Sequence, residues 1–182
     1  MTKTQFLWLP VLATCVVAHG VAAAEPPVRG DVEVDPTAYV LSGYSVHVGV
    51  GWTRLRVDLG AFAIAVPRFV HGNDGFSSSV DGFGVKLQYF PFAEEHGGFV
   101  GVDAGFNRQL IRLDGTDLAA REEQLSLGAH VGWRFEIGPS FYATPWIGLS
   151  YGFNVHDVTL NGQTFRQGPW TVFPAVHLGY RF

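Results

Sequence analysis

The feature that most constrains this chain is a hydrophobic period of two, repeated through seven segments. Helical spacing fails there, and alternation of this kind places every second side chain on one face of a β-strand. In 43–52 one face reads Tyr44, Val46, Val48, Val50, Trp52. In 54–66 it reads Leu55, Val57, Leu59, Ala61, Ala63, Ala65, and in 82–89 Phe83, Val85, Leu87, Tyr89. Segment 100–107 gives Val100, Val102, Ala104, Phe106, and 124–135 gives Leu125, Leu127, Ala129, Val131, Trp133, Phe135. The last two are Phe141, Ala143, Pro145, Ile147, Leu149, Tyr151, Phe153, and Trp170, Val172, Pro174, Val176, Leu178, Tyr180, Phe182. None of these positions is charged.

The opposite faces are of another kind. Glycine is their commonest residue, as in Gly49, Gly51, Gly82, Gly84, Gly105, Gly128 and Gly148. Between the glycines stand Arg54, Arg56, Asp58, Lys86, Asp103, Arg134, Arg181 and the histidines His47, His130 and His177. A soluble barrel would turn such a face to water, but glycine solvates poorly and weakens a free strand. Glycine fits the converging interior of a narrow barrel. The large apolar side chains then face lipid, where a charge at mid-bilayer costs about 2–4 kcal/mol. Aromatics gather near both ends of the strands, as interfacial girdles do. Phe62 and Ile64 interrupt the pattern and suggest a bulge near Gly60.

Other classes fall away. The net charge of −4 gives no basic face for nucleic acid. Beyond the N-terminus, no apolar run is long enough for a membrane helix. Lys3, an apolar stretch from Phe6 to Val17 and the small residues Ala22-Ala23-Ala24 read as a secretory signal peptide over 1–24. Leu12-Ala13-Thr14-Cys15 loosely resembles a lipobox, but Thr14 is unusual there and the apolar run continues past Cys15. Removing 1–24 takes the single Cys and the single Met with it. Disulfides are then out of reach, and packing and hydrogen bonds must close the structure.

The export signal, the alternating strands and the ending Val176-His177-Leu178-Gly179-Tyr180-Arg181-Phe182 resemble small bacterial outer-membrane β-barrels of the outer-membrane protein A and X group. The resemblance implies an all-β, antiparallel up-and-down transmembrane barrel of about eight strands over 43–182. It implies a bacterial outer-membrane location among lipid and lipopolysaccharide, as a monomer. Tyr180 and Phe182 become the C-terminal signature read by the barrel-assembly machinery. The C-terminus then faces the periplasm, so 91–98, 136–140 and Trp52-Thr53 are inner turns. The outer connections are 67–78, 113–122 and 154–168. Asn161-Gly162 is a strong type I′ signal and predicts an extended hairpin.

Seven strands cannot close such a barrel, since bacterial single-chain barrels have an even number. The eighth must come from the segment 25–42. There Val32 and Val34 alternate with Asp31 and Glu33, while Asp35-Pro36 reads equally well as the start of a short helix ending at Gly43. A turn at Trp52-Thr53 sets His47 opposite Asp58 and Gly49 opposite Arg56. The turn after Tyr89 sets Lys86 opposite Asp103. The Asn-Gly turn pairs Pro145 with Leu178 and Pro174 with Leu149, with irregularity at each proline.

Two functional readings follow for the interior. His47, Asp58, Lys86, Asp103, Arg56 and Arg134 either line a narrow channel or form an ion-paired plug. An eight-stranded interior is just wide enough to be filled by side chains, and buried ions need partners, so a plug is expected. A structural or surface-interaction role follows. The alternative is a lipid-A-modifying acyl hydrolase or transferase at the outer rim, with His71, Asp74 and His156 as its catalytic candidates. The His-x-Ser spacing of the lipid A deacylases is absent, and Gly, Asn and Asp are what any exposed turn uses. The acidic stretch 31–35, with Asp114 and Asp117, could hold divalent cations that bridge lipopolysaccharide phosphates, though a solvated loop accounts for these residues more simply. The histidines are too dispersed for a metal site, and no cofactor fingerprint occurs.

Overall fold

A computed structural model describes residues 28–93 and 95–182, so the signal segment 1–24 lies outside the described residues. Eight long strands close into an antiparallel barrel: β1 (Val28–Val34), β2 (Tyr44–Trp52), β3 (Leu55–Val66), β4 (Phe76–Tyr89), β5 (Gly97–Leu113), β6 (Ala119–Glu136), β7 (Phe141–Phe153) and β10 (Trp170–Arg181). Sequential strands are neighbours, and β1 pairs with β10 to complete the ring. Two short strands, β8 (Val158–Leu160) and β9 (Gln163–Phe165), make a separate hairpin. The helices α1 (Pro36–Val40) and α2 (Arg68–His71) are single turns. Neither is long enough to cross a membrane.

The barrel starts at Val28, ahead of the boundary expected at 43. Strand and helix, open alternatives in the sequence, occur in series between 28 and 40. Asp31 and Glu33 point inward while Val32 stands out. Asp35 then caps α1, accepting from the Thr37 N–H at 2.9 Å, with Pro36 as the first helical residue.

Opposed residues can be followed once around the ring, from Val28 through Trp52, Leu55, Tyr89, Val100, Val131, Ile147 and Pro174. Continuing the β10–β1 register from Leu178↔Val34 brings the path back at the level of Ala38, ten positions beyond its start. A stagger of this kind tilts the strands by about 40°. Ala38, however, belongs to α1 and not to a strand. Above Val34 the gap between β2 and β10 is two strand spacings, about 10 Å, which is the diameter of a helix. Helix α1 packs against β2, β3 and β10, with Ala38 buried and Val40 82% exposed. A helical turn thus completes the wall where β1 stops.

The ladders preserve the predicted faces but correct two of the three predicted registers. The first turn is Thr53-Arg54, so His47 opposes Gly60 and Gly49 opposes Asp58. Moving the turn one residue ejects Arg54 from the wall to the rim, where it donates to the Pro91 carbonyl at 3.2 Å. Lys86 opposes Asp103 as predicted. In the last hairpin Pro145 opposes Val176 and Pro174 opposes Ile147. Asn161 and Gly162 do take positive φ (47° and 78°), but segments 154–157 and 166–169 interrupt the ladder, so the turn's register does not propagate into the wall. No extended hairpin forms.

Irregularity appears at only one proline. Between β6 and β7 the ladder passes from Gly132↔Trp146 to Phe135↔Ala143, skipping the positions opposite Thr144 and Pro145. Pro174 lies beyond Leu178, the last β10 residue paired to β1, so its missing donor interrupts nothing. No bulge occurs at Gly60. Both ladders of β3 run unbroken past it, and Phe62 and Ile64 keep the inward parity of Asp58.

Polarity reverses along the wall. Val48, Leu59, Val102, Leu127, Val131 and Leu178 are exposed on the outer face, while Asp31, Arg56, Asp58 and Arg134 are buried inside. Strands β4, β5 and β6 project farther than expected, reducing 113–122 to a connection over 114–118. On that projection the polarity inverts again. Arg108, Arg112 and Arg121 stand outside, and Phe76, Ile111 and Leu113 are buried inside. The inversion is what a wall leaving lipid for water requires.

Candidate functional site

The inner half of the barrel is filled by an ion cluster centred on Arg56, whose side chain has no exposed surface. Asp31 on β1 and Arg56 on β3 face one another across Gly49 of β2, which is small enough to lie beneath the pair. Arg56 donates Nε to Asp31 Oδ2 at 2.9 Å and NH2 to Asp31 Oδ1 at 2.5 Å, a two-point clamp. Its other donors reach Gln88 Oε1 and Asp58 Oδ2, each at 3.0 Å. Glu33 Oε1 lies 3.4 Å from the same guanidinium.

Glu33 extends the cluster across the barrel. It accepts from Arg134 NH2 at 3.0 Å and faces His177 Nδ1 at 2.9 Å. Arg134 lies over the Tyr142 ring at 4.3 Å and the Phe90 ring at 5.3 Å, so aromatic faces cover the part of the guanidinium that Glu33 leaves free. His47 Nδ1 faces Asp58 Oδ1 at 2.8 Å, and its ring stands 4.5 Å from that of His177. Lys86 approaches Asp58 at 3.6 Å and covers Trp146 at 4.9 Å.

The predicted interior residues therefore meet, with one exchange of partners. Lys86 and Asp103 are ladder neighbours, yet Lys86 turns to Asp58 and Asp103 faces His130 Nδ1 at 3.1 Å. Asp58 is shared because it stands directly opposite Lys86 on β3. His47 and Asp58 meet diagonally rather than as opposed residues. Asp31 and Glu33, which the sequence offers to the eighth strand but not to the predicted ion pairs, join the cluster. Their carboxylates are committed to Arg56, Arg134 and His177 and are not free for bridging cations. Their alternation with Val32 and Val34, together with the odd strand count, was the available signal. Gln88 and Tyr142 carried no signal beyond their inward parity.

The inner mouth is closed by Phe90 and Glu95, on the connection between β4 and β5. Phe90 and Phe99 are buried with ring centroids 5.3 Å apart. Glu95, also buried, covers Gly51 and receives Arg181 NH2 at its carbonyl, 3.2 Å away. Burial raises the Glu95 pKa, and the nearby Arg181 and Arg134 only partly oppose this.

At the outer end the hairpin β8–β9 folds over the projecting strands. Val158 and Phe165 pack with Phe76, Ile111 and Leu113 into a small apolar core. Asn73 fastens it. The Asn73 amide donates to the Arg166 carbonyl at 3.1 Å, and its oxygen accepts from the Arg166 N–H at 2.7 Å, as a strand neighbour would. His71 sits against Phe165 and accepts from the Asn73 N–H through Nδ1 at 3.1 Å. Burial and the adjacent Arg68 hold its pKa below the usual histidine range. Asp74 is exposed, and His156 contributes its carbonyl to Gln167 Nε2 at 2.8 Å. His71 and His156 thus serve, through a ring nitrogen and a carbonyl, to hold this hairpin, which caps the barrel.

No protein-family profile matches the chain. No curated protein matches it in sequence. Solved structures do share its architecture. A major outer membrane protein from Thermus thermophilus superposes with a TM-score of 0.50 at 12% identity, covering 86% of this chain and 100% of that one. Neisserial surface protein A gives 0.49 at 14% identity, covering 85% and 94%. The N-terminal β-barrel domain of Pseudomonas aeruginosa OprF gives 0.45 at 14% identity, covering 85% and 96%. At 12% identity the likeness to the Thermus protein concerns the fold, which is that of an outer-membrane β-barrel.

Proposed function

We propose that this chain is an integral β-barrel of the bacterial outer membrane, exported by residues 1–24, with a sealed polar interior. Its role is structural or one of surface contact, and it does not conduct. One observation carries this reading. Hydrocarbon side chains cover the outside of the wall, and the ionised groups are paired inside it. In water that arrangement would be unstable, because exposed apolar patches of this extent drive association.

The partners are then outer-leaflet lipid and lipopolysaccharide around the wall, and the barrel-assembly machinery at the C-terminal strand. Tyr180 and Phe182 face outward there, and Tyr180 packs edge-on against Phe141 at 5.0 Å. The Arg56 cluster supports a plug rather than a conduit, since opening a path would strip buried ions of their partners. The cap supports a surface role, because it presents an ordered hairpin to the outside.

Fractionation tests the reading. The protein should stay with outer membranes after a urea wash and migrate differently on gels before and after boiling. It should give no stepwise conductance in planar bilayers, and lipid A from cells with and without it should have the same mass. Recovery in the soluble fraction would overturn the membrane assignment. Altered lipid A would favour the acyl hydrolase or transferase, and stepwise currents the channel.

A further inference from the structure

The two halves of the lumen differ in how their glycines are used. In the inner half, a Cβ built on a glycine collides with a neighbouring side chain that fills the interior: Arg56 and Asp31 at Gly49, Glu95 at Gly51, Tyr142 at Gly179. On β4 and β5 in the outer half the result is different. At Gly84 such a Cβ would meet only backbone of the adjacent strand, with Ala104 O at 3.0 Å and Gly105 Cα at 3.6 Å. At Gly105 it would meet Ser126 Oγ at 3.0 Å, Phe83 O and Asn107 Oδ1, all on the same sheet wall. The atoms nearest Gly82 are Phe106 O and those of Asn107. At Gly84 and Gly105 no side chain from across the lumen comes within 3.8 Å of the Cβ position.

Phe62, Ile64 and Phe173 share the inward parity at this level, and the first two are only half-buried. Phe173 is 38% exposed although it points inward. From Trp170 to Pro174 every residue of β10 is exposed, the inward-facing Thr171 and Phe173 included. Below, the compartment is floored by Trp146 and the His130–Asp103 pair. It is roofed by the hairpin β8–β9. An interior of eight strands is one side chain's reach across, so removing the side chains from one wall leaves a slot about as wide as a single hydrocarbon chain.

We propose that the outer half of the lumen is a binding compartment for one unbranched alkyl or acyl chain. The chain lies against Gly82, Gly84 and Gly105, with Phe62 beside Gly82 on the neighbouring strand and Phe173 across the lumen on β10. It cannot continue inward, because the Arg56 cluster closes the barrel beneath it. The compartment is therefore a dead-end site and adds a ligand to the reading above without requiring conduction.

The test is a titration of the protein in phosphatidylcholine nanodiscs with cis-parinaric acid, a fluorescent straight-chain fatty acid, with empty nanodiscs as the blank. Saturable binding above the blank is expected. Ser126 lies opposite Gly105 and already carries a Cβ, so Ser126→Phe fills the slot without a new backbone clash. It should weaken binding by about tenfold or more while leaving the heat-modifiable migration intact. Leu127→Phe, on the lipid side, should leave binding unchanged. Ser126→Leu replaces the phenylalanine variant if that one fails to fold. A phosphatidylcholine bearing a parinaroyl chain is run in parallel. Binding of the free acid alone identifies a fatty acid as ligand, binding of both identifies a lipid chain, and either supports the compartment. No binding above the blank, or full binding in a folded Ser126→Phe barrel, overturns it. Failure here leaves the membrane assignment untouched, since fractionation tests that separately.

Discussion

Arg56 and Asp31 are clamped together across an intervening strand, and Gly49 lies directly under their contact. The clamp ties β1, the shortest strand of the ring, to β3. It therefore secures the closing strand by more than its ladder hydrogen bonds. Removing Asp31 takes away the two-point clamp and leaves the buried Arg56 with Asp58, Gln88 and the more distant Glu33, and breaking a buried pair costs about 3–5 kcal/mol. Asp31→Ala should lower the urea midpoint of the folded barrel accordingly. Adding Arg56→Ala should cost less than the sum of the two single changes, because the second removes the charge that lost its clamp.

Glycine at 49 and at 179 is a packing requirement. A methyl group at Gly49 would overlap the Arg56–Asp31 pair, and one at Gly179 would overlap the Tyr142 ring. Overpacking of this kind costs about 1–3 kcal/mol. Gly138, with open space around it, is the control. Gly49→Ala and Gly179→Ala should both destabilise the barrel in urea titrations, and Gly138→Ala should not.

Sidedness predicts a contrast between two positions on the outer wall. Leu127, 56% exposed there, becomes a mid-wall charge in Leu127→Arg. Folding into lipid vesicles should then lose about 2–4 kcal/mol. Arg108, which pairs with Asp81 on the projecting part of the same wall, already stands beyond that band. Arg108→Leu should change the folding free energy by less than about 1 kcal/mol, the worth of an exposed pair.

Asn73 is expected to control the cap without controlling the barrel. Asn73→Ala removes both bonds to the Arg166 backbone and leaves buried polar groups unmatched, at about 1–3 kcal/mol for each unsatisfied group. Limited proteolysis should then cut between 154 and 169 faster, while the strands stay protected. Unchanged cleavage would mean that the apolar core of Phe76, Ile111 and Phe165 holds the hairpin alone.

Glu95 gives a pH dependence with a definite sign. Its carboxyl is raised above 4.5 in the folded protein, so the native state holds the proton more tightly than the unfolded chain. Stability contributed by this group is greatest in acid. It declines as pH rises from about 4.5 through the raised folded value. Glu95→Gln should remove that decline. The difference between wild-type and variant urea midpoints, followed upward from pH 4, measures it.

Much of this molecule was legible in the strand pattern. The outward set from Tyr44 to Phe182 and the inward set containing Arg56, Lys86 and Arg134 follow from alternation alone, because a lipid-facing charge is so costly. The location of Asp31 and Glu33 was not legible in the same way, since a strand of seven residues followed by a capped helix presents two weak signals in place of one strong one. The cap was hidden for another reason. Beyond Asn107 the buried face becomes apolar, so Ile111 and Leu113 break the rule that identifies the rest of β5.

The sequence by itself determined which side of each strand meets hydrocarbon, because side-chain direction repeats every two residues and hydrophobicity reports it directly. It did not determine which residues face one another. A slip of two positions, as at Thr53-Arg54 and between β7 and β10, keeps every side chain on its face and leaves the pattern unaltered. Only the closed ring decided those pairings, and with them the choice of Asp58 over Asp103 by Lys86. Closure imposes one stagger on all eight strands at once, a condition that no single strand's sequence can express.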